Sequence, residues 1–240
     1  MGDWPEAVLF DFDGVIVNSE PVHLRAFQHV ARALGIELSD EEYYRELIGF
    51  DDAGAWRRLF ALHGRPLDEQ ALARVMRTKF DAMRELLETR QVPALPGVRE
   101  FVEALAAHGK VMAVCSGAVR GEIEPMLRGV RLAQHFPVIT AAEDVAVGKP
   151  DPGGYLLTVR RVSEMIGRAL RPQDCLVVED APLVVRSVRG VGFRALGVAT
   201  SCPASALDGA DWVVRSLRRE ELTAAAPELG YLFDRTTEDE

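Results

Sequence analysis

A chain of 240 residues with 48% hydrophobic and 27% charged side chains can bury a sizeable core without disulfides, which argues against a disordered or disulfide-stapled protein. A net charge of -9 argues against nucleic-acid or anionic-membrane binding through a broadly basic surface, although a local site can still be positive. Three widely spaced cysteines (Cys115, Cys175 and Cys202) form no disulfide framework or zinc motif, and no apolar run reaches transmembrane length or follows a signal-peptide pattern, so a reduced, cytoplasmic setting is expected.

The first element is the run Val8-Leu9-Phe10-Asp11-Phe12-Asp13-Gly14-Val15-Ile16. A near-continuous apolar run is how a buried parallel strand reads, and ligands gather at the carboxyl ends of such strands. Alternate residues of a strand share a face, so Asp11 and Asp13 leave the strand together, and Gly14 lets the backbone turn at once. Carboxylates this close repel unless a cation or a proton sits between them. A solvated turn with two surface acids would give the same local pattern.

The next segment, about Val22 to Leu34, has helical periodicity, with Ser19 as a candidate cap, Pro21 in the first turn and Gly35 as the stop. Residues 36 to 90 contain no strand-like run. Ser39-Asp40-Glu41-Glu42 reads as a capped helix start, residues 48 to 54 as a loop, and residues 55 to 62 and about 68 to 89 as helices. The apolar side chains of the long one are Leu72, Val75, Met76, Phe80, Met83 and Leu87. Pro93 and Pro96-Gly97 mark a boundary, after which strands at Val111–Cys115, Val138–Thr140, Cys175–Val178, Arg194–Val198 and Trp212–Val214 alternate with helices. The acidic tail is expected to fray. Strand–helix alternation predicts an α/β fold, a Rossmann-like parallel sheet with right-handed crossovers, formed by residues 1–17 and 91–240, with an α-helical domain of residues 18–90 inserted after the first strand.

Four segments combine an apolar run with polar residues at its end or beside it: Asp11-Phe12-Asp13, Ser116-Gly117, Gly148-Lys149-Pro150-Asp151 (which precedes a helix) and Glu179-Asp180. Strand ends of one polarity line one crevice. Clustered carboxylates suit a hard cation such as Mg²⁺, a hydroxyl at an N–H-rich turn suits a phosphate, and a lysine adds a point charge for that phosphate. A carboxylate beside metal and phosphate can attack phosphorus, and a second can move the proton. Each part has a duller reading alone: Ser116 as a helix cap, Lys149 as a surface charge, Glu179-Asp180 as acids favouring a helix dipole. Their joint occurrence favours the chemical reading.

In this order and spacing the segments resemble the four motifs of haloacid-dehalogenase-superfamily hydrolases with a helical cap after the first strand, and within them the β-phosphoglucomutase-like and phosphoglycolate-phosphatase-like branch. The resemblance covers nearly the whole chain. It implies Asp11 as nucleophile, Asp13 as acid/base and Lys149 as the cation that steadies nucleophile and phosphate, with Ser116 and Gly117 binding the phosphate. It implies Mg²⁺ held by Asp11, by the Asp13 backbone carbonyl and by Asp180, with Glu179 in the outer shell. Closure of the cap would exclude bulk water, with hinges near residues 15 to 20 and 88 to 95.

Val184 stands where the family has a glycine, and Asn18 where many relatives have Asp. His23, in His23-Leu24-Arg25-Ala26-Phe27, resembles a substrate-facing segment of the mutase but also fits a helix-surface histidine, and Arg120 fits either a leaving-group contact or a solvated helix face. Trp56, Arg57 and Arg58 fit packing and surface roles. Where the mutase carries a Lys and an Arg for a distal phosphate, this chain has Ile48 and Asp52, which argues against a mutase. The leading expectation is a Mg²⁺-dependent phosphatase acting through an aspartyl-phosphate on a small phosphorylated metabolite, a sugar phosphate or phosphorylated carboxylic acid. No nucleic-acid or membrane partner is expected, and the chain is expected to be a monomer or weak dimer. A phosphosugar mutase and a non-enzymatic phosphate-binding protein are the alternatives, and dehalogenation would leave the carboxylates around Asp180 without a role.

Overall fold

The computed structural model describes residues 4–47, 50, 52–89 and 92–234. In chain order the elements are β1 (Ala7–Phe10), α1 (Glu20–Ala33), α2 (Asp40–Glu46), α3 (Asp52–Leu62), α4 (Glu69–Thr89), α5 (Val98–Ala107), β2 (Val111–Cys115), α6 (Arg120–Gly129), β3 (Val138–Thr140), α7 (Gly153–Ile166), β4 (Cys175–Glu179), α8 (Pro182–Gly190), β5 (Arg194–Val198), β6 (Trp212–Val214) and α9 (Arg219–Ala225). They form two compact units, Met1–Asn18 with Pro93–Glu240, and Ser19–Val92.

The first unit is built on one six-stranded sheet in the order β3-β2-β1-β4-β5-β6, with every neighbouring pair parallel. All four residues of β1 are fully buried, which is why its sequence is an unbroken apolar run rather than an alternating one. Phe10 packs edge-on against Phe101 of α5 and Phe136, at 5.9 and 5.5 Å between ring centroids. The chain steps from β1 outward through β2 to β3, then returns to the other side of β1 as β4. This reversal is the topological switch point, where open α/β sheets hold ligands. Register places Phe10 opposite both Val114 and Val178, so Asp11, Ser116 and Glu179 emerge at about the same level.

The face of the sheet covered by α7 and α8 packs Leu9, Cys115 and Val177 against Tyr155, Val159, Val184 and Val188. Val184, the departure from the family glycine, is 4% exposed within this cluster, so its side chain fills core space. The Cys115 thiol is pushed up to about 11 by burial, which keeps it protonated and makes it a packing residue. Lys149 comes from the loop before α7, in line with its place ahead of a helix in the sequence, and one helix the sequence reading does not contain, α9, follows β6.

The second unit is all-helical among its described residues. Its core is aromatic: Phe27 of α1 stacks at 4.6 Å from Trp56 of α3 and lies 5.7 Å from Tyr43 of α2. Trp56 is therefore a core residue, while Arg57 and Arg58 are exposed and pair with Glu69 and Glu46. Ser39 Oγ accepts the Glu42 N–H at 3.0 Å, the expected cap of α2. Ser19 precedes α1 but makes no capping bond, because its backbone is helical (φ -83°, ψ -12°) where a capping residue is normally extended. The expected loop over 48 to 54 is overturned in its second half: Asp52 starts α3, where its charge favours the helix dipole, while residues 48, 49 and 51 lie outside the described residues.

The sharpest departure is Lys79. It is fully buried on the core face of α4, while the neighbouring Phe80 is only half-buried. Its ammonium lies 2.8 Å from Asp52 Oδ2 and 2.8 Å from His23 Nδ1, with the Phe27 ring 5.7 Å away. Truncation would remove this packing and strip a charge from Asp52. Lys79→Ala is expected to destabilise the protein by about 2–4 kcal/mol, and Lys79→Met by clearly less, since methionine refills the volume without a charge. Urea unfolding of both variants checks this, and equal losses would show that volume is not the cause.

Candidate active site

Asp11 follows β1, where its N–H donates to the Val178 carbonyl at 2.9 Å and pins it between β1 and β4. Lys149 Nζ donates to Asp11 Oδ1 and to Glu179 Oε1, both at 2.6 Å, and to the Tyr155 hydroxyl at 3.1 Å. Its ammonium also lies 4.9 Å from the centre of the Tyr155 ring. Glu179 is fully buried and both of its oxygens are committed: Oε1 to Lys149 and Tyr155, Oε2 to the backbone N–H groups of Asp180 and Ala181 at 2.9 Å each. Asp180 is 7% exposed beside it.

Burial raises the Asp11 carboxyl well above the ordinary range, and Lys149 opposes that shift. Burial would lower the Lys149 ammonium, but Asp11 and Glu179 overcome it and raise its pKa, so lysine stays charged. Burial, and then Glu179, pushes Asp180 up to about 6, with Ser201 and Lys149 acting against them. Oxygens of Asp11, Glu179 and Asp180 all lie within 4.8 Å of one another. Three carboxylates with one ammonium leave an uncompensated negative charge in a buried pocket of oxygen donors. That donor set fits a hard divalent cation of the Mg²⁺ kind.

Gly14 turns the chain directly after Asp13, with φ +78°. A Cβ there would lie 1.9 Å from Asp180 Oδ2, so only glycine lets the Asp180 carboxylate rest against this backbone. Asp13 is half-buried on the turn, which is closed by Gly14 N–H donating to the Val17 carbonyl at 2.8 Å. Ser116 is buried at the end of β2, its N–H donating to the Thr140 carbonyl at 2.9 Å and its Oγ accepting the Ala118 N–H at 3.0 Å. It is not the cap of α6, whose capping position is Val119. A cavity of about 80 Å³ lies here, lined by Ser116, Gly117, Thr140, Val145 and Lys149 among others.

Two expected rim residues have other partners. The Arg120 guanidinium donates to Asp144 Oδ2 at 2.7 Å and to the Ile139 carbonyl at 3.1 Å. Arg161 donates to the same Asp144 oxygen at 2.8 Å, and the Ala141 N–H to it at 2.9 Å. His23 lies in the helical unit against Lys79, and burial, with the nearby ammonium, lowers its pKa to about 4, so the ring is neutral at pH 7.

Asp144 gives a pH test. The Arg161 hydrogen bond, with the Ala141 amide and Arg120, lowers its pKa to about 2 against burial. A carboxyl depressed in the folded state stabilises above its unfolded pKa of about 4 and loses that contribution as pH falls through about 2. Asp144→Asn is expected to cost about 1–2 kcal/mol at pH 7, with the gap to the parent narrowing at pH 3. Urea unfolding at both pH values reads it, and an equal gap at both would reject the ion-pair account.

Tyr155, which bridges Lys149 and Glu179, was not visible in the sequence: on α7 it reads as one more apolar-face residue. Lys79 was missed because a lysine amid apolar residues normally extends its head to solvent.

Comparison with known proteins agrees with this geometry. The haloacid dehalogenase-like hydrolase family matches residues 8–198. Hexitol phosphatase A of Escherichia coli is 32% identical over 219 residues, covering 90% of this chain and 93% of that protein. The phosphorylated carbohydrates phosphatase of Thermotoga maritima is 30% identical over 198 residues, covering 82% of this chain and 86% of that one. The crystal structure of CbbY from Rhodobacter sphaeroides in complex with phosphate superposes with a TM-score of 0.75 at 26% identity, covering 90% and 96% of the two chains. With the strand order, the hydrogen-bonded Asp11–Lys149–Glu179 set and a match across both units, the protein belongs to the haloacid dehalogenase-like hydrolases.

Proposed function

We propose that this protein is a Mg²⁺-dependent phosphatase of a small phosphorylated sugar or sugar alcohol, working through a phosphorylated Asp11. The observation that carries the reading is the carboxylate of Asp11, held at the switch point of the sheet by a half-buried lysine at 2.6 Å. The names of the two phosphatase relatives support the substrate class.

In this reading Asp11 and Asp180 would hold the cation together with the Asp13 backbone carbonyl, and Glu179 would support it without binding directly, because its acceptor positions serve Lys149, Tyr155 and backbone amides. The cation, when bound, offsets charge on the phosphoryl oxygens and on the clustered carboxylates. A carboxylate oxygen of Asp11 attacks phosphorus, and the bond from phosphorus to the ester oxygen breaks. Asp13 gives its proton to the departing alkoxide, which leaves as an alcohol. Asp13 then takes a proton from water, the resulting hydroxide attacks phosphorus, and the bond to Asp11 breaks to release inorganic phosphate and restore the carboxylate. Lys149 favours the ionised form of Asp11 against its burial and faces the developing charge, with the Ser116 hydroxyl and the Gly117 turn binding the phosphate.

Residues 19–92 are proposed to carry substrate selectivity, with His23 among the contributors. A mutase reading needs cationic side chains for a second phosphate. Asp52, one of the positions concerned, is instead a carboxylate paired with Lys79, and Ile48 lies outside the described residues. The proposal places the chain in the cytoplasm, a reading its three free cysteines support, as a monomer or weak dimer; no described helix is long and apolar enough to cross a membrane.

The test is phosphate release from a panel of hexose, pentose and hexitol phosphates, bisphosphates and phosphorylated acids, with Mg²⁺ and with EDTA. Release that needs Mg²⁺ and favours one sugar or alditol ester is expected. Isomerised product without net phosphate would establish the mutase, and no turnover by folded protein would favour a binding role.

A further inference from the structure

The turn that leaves β5 closes on Asp180 from three successive residues. Thr200 Oγ1 donates to the Gly14 carbonyl and lies 3.5 Å from Asp180 Oδ2. Ser201 Oγ reaches the Asp180 carbonyl at 3.3 Å, and Cys202 Sγ reaches the same oxygen at 3.5 Å. The turn is itself held in place: Ala199 N–H donates to the Val214 carbonyl at 2.7 Å, and Thr200 N–H to the Val198 carbonyl at 2.9 Å. From the other side, the Gly14 backbone lies directly against the Asp180 carboxylate. Asp180 is therefore enclosed between two turns that are 186 residues apart in sequence at their Thr200–Gly14 link.

We propose that Thr200 is a positioning residue that ties the Asp11–Gly14 turn to Asp180 and so sets the affinity of the carboxylate cluster for a divalent cation. A hydroxyl carries one proton, and of the three acceptors around it, the Gly14 carbonyl, the Val198 carbonyl at 3.4 Å and Asp180 Oδ2 at 3.5 Å, the Gly14 carbonyl is the nearest. The bond fixes the turn that presents Asp11 and Asp13, while the same oxygen stands beside Asp180. A cation held by oxygens from two strands needs their separation fixed beforehand, because every carboxylate that must move to reach it weakens binding. Thr200 is exposed, so its methyl contributes little packing and its hydroxyl accounts for its effect. This proposal rests on the metal-dependent phosphatase reading.

The test is a MgCl₂ titration followed by thermal shift on the full chain, with Thr200→Val, Thr200→Ser and Thr200→Ala. Valine keeps the shape and deletes the hydroxyl, and serine keeps the hydroxyl. Without metal the valine variant is expected to melt within about 4 °C of the parent, as the loss of one exposed hydrogen bond allows. Its half-saturating Mg²⁺ concentration should rise about 5- to 10-fold, with alanine behaving like valine and serine within twofold of the parent. Alanine serves if valine fails to fold. Equal Mg²⁺ midpoints in parent, valine and alanine variants would overturn the role of Thr200 and leave the phosphatase reading intact. A parent protein that Mg²⁺ does not stabilise at all would overturn both.

Discussion

Asp11→Asn should abolish turnover while leaving the fold in place. The amide has the size of the carboxylate and its oxygen can still accept the Lys149 hydrogen bond that the acid accepts at 2.6 Å. It is not a nucleophile, so the proposed phosphorylated intermediate could not form. Loss of a nucleophile that acts as one unit with its partners costs about 10⁴-fold or more in rate. Stability should change little. Burial disfavours the ionised form of Asp11, so neutralising it removes a desolvation cost, and the weakened attraction for Lys149 acts in the opposite direction. The two effects should leave unfolding free energy within about 2 kcal/mol of the parent. Phosphate release against the preferred ester, beside a urea melt, checks both parts. A variant retaining a hundredth of the parental rate would remove Asp11 from the nucleophile's role.

Lys149→Met should damage rate and stability together. The lysine is the cation that both Asp11 and Glu179 contact at 2.6 Å, and with Asp180 these carboxylates bring their oxygens within 4.8 Å of one another. Methionine fills the volume and leaves the carboxylates facing each other in a buried site. Breaking a buried ion pair by removing one partner costs about 3–5 kcal/mol, here a fall in melting temperature of about 6–20 °C. Turnover should fall about 10²–10³-fold, the usual effect of losing one charged donor to a transition state. The sign with pH is a sharper mark. Without the ammonium the Asp11 and Asp180 carboxyls, already raised by burial, rise further above their unfolded values near 4. Their contribution is then present at low pH and lost as pH rises, so the deficit should be smaller at pH 5 than at pH 8. Added Mg²⁺ should restore part of the stability. A deficit independent of pH would mean that packing, not charge, is what Lys149 supplies.

The α/β core was legible because its signals are local. β1 could be read as a buried parallel strand since both of its faces are covered, and all four of its residues are inaccessible. The six strands follow from short apolar runs between turn residues, and β2, β3, β5 and β6 fall where those runs place them. The Ser39 cap is likewise a matter of three residues and one hydrogen bond. Asp11, Ser116, Lys149 and the Glu179-Asp180 pair stand out in the sequence because the proposed phosphoryl transfer requires particular side chains at strand and helix ends.

Other features depend on residues distant in sequence. Lys79 falls on the apolar stripe of α4, and nothing in that helix says whether its ammonium escapes to solvent or is buried. Asp52 and His23, from two other helices, decide it by converging on the nitrogen at 2.8 Å each. In sequence Arg120 fits a leaving-group contact or a solvated helix face, and the Asp144 carboxylate that accepts its guanidinium lies 24 residues on. Tyr155 and Thr200 carry no sequence signature, since a phenol on a buried helix face and a threonine in a turn are commonplace. Their hydroxyls matter through the partners the sheet order brings to them.

The α/β core, the inserted helices and the carboxylates and lysine of the proposed site can be read from the chain alone, because strand burial, helix periodicity and strand-end chemistry are each written within a few residues. Which charges are paired, which lysine is fully buried and which hydroxyls stand beside the carboxylates emerge only when distant segments meet. Those outcomes turn on distances of a few ångströms between side chains from different elements, and Coulomb and hydrogen-bond energies are set at that scale.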